Sequence, residues 1–334
     1  MIDPRTLSLA TLIAGAFLAW NDVSLATDDD EDESAIEEPP PWERIDEPSV
    51  VACGGCHPAA WREWSQSLHA NAWTNANVRN ATNDFNKKSC RPCHSPQPVL
   101  LTGLDVAPDY RDHNQLDGVH CLSCHGLEEG VAAARSIPDA PCNPIHEPRL
   151  LSVEMCWPCH EPTHQAFEEY ETSDAAATGV RCVDCHMQLT DEREGGRHGR
   201  SHGPNGGMNA EFVARALAWE AELQDGELRI RLRNRTGHKF PGEIPSRSLL
   251  VRVDWRDAEG QSVGEGERLV LRRAHKQEER EDNRLRPDEQ RELRYAMPSE
   301  AQSVDLRIVF LPLPLLPEEA GFELARWSAS RDED

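Results

Sequence analysis

Five copies of the pattern Cys-x-x-Cys-His carry the chemistry of this sequence. Two thiols separated by two residues can both add to one edge of a porphyrin, and the adjoining histidine then reaches the iron, as in haem c attachment. The pattern therefore predicts five covalently bound haems c, each with a proximal histidine from its own motif. The motif residues are Cys53, Cys56, His57, Cys90, Cys93, His94, Cys121, Cys124, His125, Cys156, Cys159, His160, Cys182, Cys185 and His186.

Zinc sites and a disulfide framework are the alternative interpretations of these cysteines. A zinc ribbon pairs two Cys-x-x-Cys units on each metal ion, so five units leave one unpaired and five adjacent histidines unexplained. A disulfide scaffold has no use for the histidines. The repeated histidine therefore favours haem.

Nine further histidines lie outside the motifs and could supply the second axial ligand of each iron. Because nine candidates exceed the five that are needed, the composition favours bis-histidine coordination. A methionine ligand would raise the reduction potential of its haem, and few internal methionines are available. The nine are His69, His113, His120, His146, His164, His198, His202, His238 and His275.

Local context selects five of these nine as the expected distal ligands, each with a surface histidine as the alternative. His113 and His238 are reserve candidates, whereas His198 and His275 have the context of ordinary surface residues. The five expected distal ligands are His69, His120, His146, His164 and His202.

Cys142 is the one cysteine outside the motifs. A small buried thiol is the simplest interpretation. An intermolecular disulfide or an unusual iron ligand is the alternative.

The first 47 residues indicate export. Residues 1–26 combine Arg5, an apolar run and a small-residue cleavage site, which is typical of a secretory signal peptide, with a retained anchor as the alternative. Residues 27–47 hold eleven acidic residues and one basic residue, so they should form a disordered tether. We expect a periplasmic, extracellular or cell-surface protein with no membrane span in the mature chain.

The formal net charge of −24 restricts the class of partner. So acidic a chain is a poor nucleic-acid binder, because like charges repel. Other redox proteins, or further copies of this chain, are the expected partners.

Residues 48–223 should form a mostly α-helical and irregular cytochrome domain organised around the five haems. Its apolar periodic segments are few, and the porphyrins would supply the missing apolar mass. Short helices are expected at 58–76, 165–172 and 209–223, the last with Asn209 as its N-cap.

Residues 224–334 should form an antiparallel β-sandwich of immunoglobulin-like type. Apolar and polar residues alternate in several short stretches, as at Leu228, Ile230 and Leu232. This part contains no cysteine and no nucleophile constellation, so we expect no chemistry from it.

Segments between the motifs resemble those of a known family of multihaem cytochromes. They are Trp64-Ser65-x-x-Leu68-His69, Ser95-Pro96, Gly118-Val119-x-Cys121, Gly179-Val180-x-Cys182, and Asn234-Arg235-Thr236-Gly237-His238-Lys239-Phe240-Pro241-Gly242. The first four are similar to the group containing the nitrifier tetrahaem cytochrome c and, more distantly, hydroxylamine oxidoreductase and pentahaem nitrite reductase. The last is similar to a signature of sandwich domains fused to such cytochromes. The resemblance implies closely spaced haems that conduct electrons.

Two departures separate this chain from the enzymes of that group. Pentahaem nitrite reductases usually carry Cys-x-x-Cys-Lys at the reactive haem, whereas all five motifs here end in histidine. Hydroxylamine oxidoreductase needs a crosslinked tyrosine, and Tyr110, Tyr170 and Tyr295 lie in no matching context.

A non-catalytic electron carrier is therefore the leading functional hypothesis. Five closely spaced, mainly bis-histidine, low-spin haems would leave no open site for a substrate. The alternative is an oxidoreductase in which one five-coordinate haem acts on nitrite, hydroxylamine or peroxide. A third hypothesis gives the sandwich a recruiting role in a larger complex or filament.

Overall fold

The computed structural model describes residues 50–160, 165–193, 197–244, 247–273, 282–313 and 316–331. The expected signal peptide, the acidic tether and His164 lie outside the described residues. All described residues belong to one compact unit, Pro39–Asp334. Within the described ranges, no helix is long and apolar enough to cross a membrane.

The first half of the described chain is built from short helices joined by turns. Proline, glycine and asparagine interrupt the sequence often, so few segments exceed two turns. The helices are α1 Val50–Cys56, α2 Pro58–Ser65, α3 Ala76–Thr82, α4 Arg91–His94, α5 Val99–Thr102, α6 Cys121–His125, α7 Trp157–His160, α8 Ala166–Glu171, α9 Asp174–Ala177, α10 Cys182–His186 and α11 Ala210–Ala216. Single 3-10 turns include Lys88–Cys90 and Val153–Cys156.

Two small sheets accompany these helices. Strands β1 Gly126–Leu127, β2 Gly130–Ala133 and β3 Pro144–His146 form the first, and β4 Leu189–Arg193 pairs with β5 Arg197–Arg200 in a hairpin. Strands β1 and β2 are antiparallel, whereas β2 and β3 are parallel.

Apolar packing in this half is thin. Among its described residues, one small cluster of buried side chains stands out, formed by Val99, Leu100, Ala132 and Met155. Such a cluster cannot stabilise more than a hundred residues by itself, because burial contributes only about 1.5–3 kcal/mol per large apolar side chain.

The second half is an antiparallel β-sandwich. Its strands are β6 Leu217–Gln224, β7 Glu227–Asn234, β8 Ser248–Arg256, β9 Glu267–Arg272, β10 Gln290–Ala296, β11 Ser303–Leu311 and β12 Phe322–Ser330. One sheet has the order β10-β7-β6 and the other β12-β11-β8-β9, with every neighbouring pair antiparallel.

The alternating pattern explains why these segments are strands. In β7, Leu228, Ile230 and Leu232 are fully buried, whereas Arg231 faces solvent and pairs with Glu292 across the sheet at 3.1 Å. A period of two places alternate residues on opposite faces, so one face joins the core and the other stays charged. The expected antiparallel β-domain is confirmed.

The prediction of a helix at 209–223 is correct for its start and wrong for its end. Asn209 is the N-cap, and its side chain accepts the backbone N–H of Phe212 at 2.9 Å. However, α11 ends at Ala216, and the chain continues as β6, which pairs with β7 from Leu217 opposite Asn234 onwards. Pairing with a neighbouring strand outweighs helix propensity here, because it buries one face of β6.

The helix expected at 58–76 is also shorter than predicted. α2 ends at Ser65, and a series of turns leads to α3. Side chains stabilise these turns by binding the backbone, because the Asn71 amide donates to Ser67 O at 2.8 Å and the Ser67 hydroxyl accepts from Ala70 N–H at 3.2 Å. The helix expected at 165–172 is confirmed as α8.

Candidate haem sites

Each Cys-x-x-Cys-His motif is folded as one helical turn. α6 and α10 contain complete motifs, and in α4 and α7 the first cysteine closes a preceding 3-10 turn. At the first motif α1 ends with Cys56, and His57 is the N-cap of α2. Residues three and four apart lie on one side of a helix, so this folding directs both thiols and the imidazole to the same side.

Three motif histidines are oriented by backbone carbonyls. The Nδ1 atom lies 2.8 Å from Ala72 O in His94, 2.7 Å from Ala132 O in His125, and 2.6 Å from Asn205 O in His186. A carbonyl only accepts, so Nδ1 carries the proton and donates it, which leaves the Nε2 lone pair for a metal. This tautomer is the one that haem iron requires.

Three pairs of imidazole rings lie at nearly equal distances from each other. Ring centres are 6.2 Å apart for His69 and His160, 6.1 Å for His125 and His202, and 6.3 Å for His186 and His238. Two metal–nitrogen bonds of about 2 Å, with roughly 1 Å from each nitrogen to its ring centre, give about 6 Å for two ligands on one metal. Each pair therefore has the spacing of two axial ligands of one iron.

One histidine of each pair is held neutral by burial. Burial lowers the pKa of His69 and of His125. Burial also lowers the pKa of His238 to about 4. Neutral imidazole is the metal-binding form, so the environment fits the ligand role.

His69 and His202 are positioned by contacts with distant parts of the chain. The His69 carbonyl accepts the backbone N–H of Val119 at 2.9 Å, and the Trp64 indole donates to Val119 O at 2.8 Å. The backbone N–H of His202 donates to a Glu63 carboxylate oxygen at 2.8 Å. His69 lies in the turn after α2 and is held there by Val119, and His202 is bound to α2 through Glu63.

His120 has the wrong tautomer for a ligand. It is 3 % exposed, and its Nδ1 accepts the backbone N–H of Ser123 at 3.1 Å. The proton must then sit on Nε2, which is buried without a partner among the described residues. The assignment of His120 as a distal ligand stays a prediction that this geometry disfavours.

Two other histidines have a suitable tautomer. His146 donates from Nδ1 to Ala134 O at 2.7 Å. His113 directs Nδ1 at the Asp112 carboxylate at 3.4 Å, and its Nε2 is buried without a partner among the described residues. Within the described ranges, neither histidine is in ring contact with His57 or His94, so their ligand roles stay predictions.

Thiol contacts show which motifs are neighbours. The hydrogen bond between Cys53 and Cys121 lowers the pKa of the first thiol and raises that of the second. Two further hydrogen bonds join Cys93 to Cys159 and Cys156 to Cys182. The third motif adjoins the first, and the fourth adjoins both the second and the fifth.

Cys124 and Cys142 are also partly or fully buried. Burial raises the pKa of Cys124, in the third motif, to about 11. Cys124 lies close enough to Cys156 and Cys159 of the fourth motif for its thiolate to raise their pKa as well. Cys142 is partly buried, which raises its pKa, and it forms no disulfide. Its three interpretations stay open.

The zinc alternative finds no support in the geometry. Across the described residues, no group of three or more histidine, cysteine, aspartate or glutamate side chains is arranged to hold a metal ion. A structural zinc ion needs four such ligands in a tetrahedron.

Five helical Cys-x-x-Cys-His turns, three pairs of neighbouring imidazoles and a C-terminal antiparallel β-domain are the features of a multihaem c-type cytochrome. Comparison with known proteins supports this class. Residues 52–126 match the model of a family described as cytochrome c554 and c-prime. The chain is also similar in fold to the crystal structure of a penta-heme cytochrome c552 from Thermochromatium tepidum, with a TM-score of 0.66 and 20% identity over 86% of this chain and 99% of that chain. No curated protein matches.

Replacing Gly118 with alanine should loosen the turn that holds His69, a candidate iron ligand. Gly118 has φ +59, and a Cβ atom there would lie 2.4 Å from His69 O. We expect partial conversion of one haem to the high-spin state. Gly179→Ala is the matched control, because Gly179 has φ +76 and no atom within 4 Å of the added carbon. Both variants carry about 1–2 kcal/mol of backbone strain, so equal high-spin fractions would contradict the role of Gly118.

Proposed function

We propose that this chain is an exported electron carrier that holds five haems c and passes electrons along them through mainly bis-histidine sites. The observation that carries the proposal is the set of imidazole pairs at 6.1–6.3 Å. When bound, haem iron supplies a one-electron ferric/ferrous couple. Two protein ligands on one iron leave no position for a substrate.

The residues divide into three roles. In each motif two cysteines would form the thioether bonds, and the histidine would be the proximal ligand. His69 and His202 are the distal ligands that geometry supports for the fourth and third motifs. The haem-binding part would begin at residue 48 and end before β6, which pairs with β7 in the β-domain, so the boundary expected between residues 223 and 224 would lie near Leu217.

Apolar surface in the first half fits the bulk of the cofactor. Leu68 is 55% exposed and Leu116 72% exposed. Covering such a side chain with an apolar group contributes about 1.5–3 kcal/mol. A porphyrin face is a group of that kind, and it would add the packing that this half otherwise lacks.

The contacts between motifs suggest a branched path. The order one, three, four follows from the contacts of Cys53 with Cys121 and of Cys124 with the fourth motif. The second and fifth motifs both adjoin the fourth. Electrons entering at either of these would reach the first motif through the fourth.

The net charge of −24 suggests the kind of partner. A redox protein with a basic docking face would be attracted over a distance of about one Debye length, roughly 8–10 Å. We propose such proteins, or further copies of this chain, as donors and acceptors in the periplasm or at the cell surface.

An enzyme with one five-coordinate haem is the second candidate. The observation that favours it is that, within the described residues, neither His57 nor His94 is in ring contact with a second imidazole. Nitrite, hydroxylamine and peroxide are the substrates to consider. A high-spin ferric signal in the wild-type protein that changes when one of them is added would support this alternative.

His202→Ala tests the carrier directly. The substitution should turn one low-spin haem high-spin, because the iron at the third motif would lose its distal ligand. Electron paramagnetic resonance of the ferric protein measures this, and added imidazole should restore the low-spin signal. An unchanged spectrum would show that His202 binds no iron.

A further inference from the structure

His238 belongs to the β-domain but lies beside the fifth haem motif. It stands in the connection between β7 and β8, and its ring centre is 6.3 Å from that of His186 with an angle of 23° between the rings. This is the spacing of the two other imidazole pairs. Burial keeps its imidazole neutral, because its pKa is lowered to about 4.

A buried asparagine fixes the backbone on both sides of His238. Asn234 is fully buried, and its amide group donates to His238 O at 2.8 Å and to Arg286 O at 2.9 Å. Its side-chain oxygen accepts the backbone N–H of Thr236 at 2.9 Å, and the Thr236 hydroxyl also donates to His238 O at 2.7 Å. A loop bound at so many atoms holds its side chain in one place.

The same loop is attached to the haem-binding half through α8. The backbone N–H of Lys239 donates to a Glu169 carboxylate oxygen at 2.7 Å. Glu169 is itself bound by Arg284, a β-domain residue with a fully buried side chain that also pairs with Glu243. A Cβ atom on Gly237 would lie 3.1 Å from the Tyr170 ring, so the loop packs closely on this part of the chain.

The Arg247 guanidinium is a second β-domain group that lies near His186 and His238. Its guanidinium packs against Gly207, where an added Cβ would lie 2.4 Å from Arg247 Cζ. Gly207 is two residues from Asn205, whose carbonyl accepts the His186 Nδ1–H at 2.6 Å. The Arg247 charge also contributes to the lowered pKa of His238. The Arg247 guanidinium therefore lies beside the fifth motif and His238.

Among the described residues, no carboxylate pairs with the Arg247 guanidinium. Burial lowers its pKa, and its Nε is buried without a hydrogen-bond partner in the described part of the chain. Glu243, the acid in the same connection, is bound to Arg273 and Arg284 instead. A buried cation is costly unless a carboxylate pairs with it, and a haem carries two propionates.

We propose that the β-domain completes the fifth haem site, with His238 as the distal iron ligand and Arg247 as the partner of a haem propionate. The inference rests on the proposed function and deepens it. The β-domain is then part of a redox centre, and its packing on α8 sets the geometry of that centre.

His238→Ala in the full-length haem-loaded protein tests the ligand. One haem should become high-spin, and imidazole should return it to low spin. His238→Met is the second variant, which should keep this haem low-spin and raise its midpoint potential, since methionine ligation favours the ferrous form. If both variants keep wild-type spectra and potentials, His238 is not a ligand.

The result also separates this inference from the proposed function. If His202→Ala gives a high-spin haem and His238→Ala does not, the proposed electron-carrier function is supported and the assignment of His238 as a distal ligand is wrong. If neither variant gives one, two of the three imidazole pairs bind no iron, and the observation that carries the proposed function fails with them.

Arg247→Gln tests the propionate partner. All haems should stay low-spin, and one midpoint potential should shift downwards in a spectroelectrochemical titration, because a positive charge near the iron favours the reduced state. Arg231→Gln is the control, since Arg231 lies on the outer face of the sandwich with Glu292. Equal potentials in the two variants would overturn the assignment of Arg247.

Discussion

Replacing Cys156 and Cys159 together with alanine should remove one haem and destabilise the protein more than the same change at Cys53 and Cys56. The fourth motif adjoins the second, third and fifth through thiol contacts, whereas the first is in hydrogen-bond contact with the third. A haem lost from the centre therefore leaves more neighbouring surface without a partner than one lost from the end.

The expected size of this effect follows from packing. A large-to-small change in a core costs about 3–5 kcal/mol, and each kcal/mol lowers the melting temperature by about 2–4 °C in a domain of this size. The central variant should therefore melt roughly 10 °C lower than the wild type. Haem content per chain and calorimetry measure the two quantities, and equal melting temperatures for the two variants would contradict the central position of the fourth motif.

The same pair of variants should differ in electron flow. After rapid mixing with a small reductant, the chain lacking the first haem should still reduce its remaining haems in a connected sequence. The chain lacking the fourth should show a separate slow phase, because the first and third haems are then cut off from the others. A single common rate in both variants would argue against the branched path.

His160→Ala should cost the protein far more haem than His69→Ala, although both residues would bind the same iron. His160 adjoins the cysteines to which the haem is attached, so it is needed when the haem is inserted. His69 belongs to a distant turn and lies beside His160 with ring centres 6.2 Å apart. Its loss should leave a five-coordinate haem in a folded chain.

Haem content per chain decides this comparison. We expect His69→Ala to keep all five haems with one high-spin signal, and His160→Ala to lose one haem from most molecules. Imidazole should rescue the spin state in the first variant and leave the haem content of the second unchanged. Equal haem loss in both would refute the distinction between the proximal and distal roles.

Much of the fold could be predicted from local patterns. The alternation at Leu228, Ile230 and Leu232 identifies β7, and the Asn209 cap identifies the start of α11. Strand β6 was missed because its residues also suit a helix, and only the register with β7 settles the choice. A short segment takes the form that its neighbour in space can pair with.

Some of the candidate ligands could likewise be predicted from the sequence, whereas others depend on tertiary packing. The motif residues are recognisable from spacing alone. Local context selects five distal candidates, and the structure places two of them, His69 and His202, beside His160 and His125. The sequence makes His238 only a reserve candidate, because its position beside His186 depends on how the β-domain packs against α8. Likewise the tautomer of His120 follows from a single backbone contact with Ser123.

The most direct test of the central claim is quantitative electron paramagnetic resonance of the fully oxidised protein, with haem measured on the same sample. We expect five haems per chain, at least three of them low-spin with two imidazole ligands, and no change in those signals when nitrite is added. Fewer than three low-spin haems would contradict this claim, because the pairs of His160, His125 and His186 with their neighbouring imidazoles would then not be iron ligands.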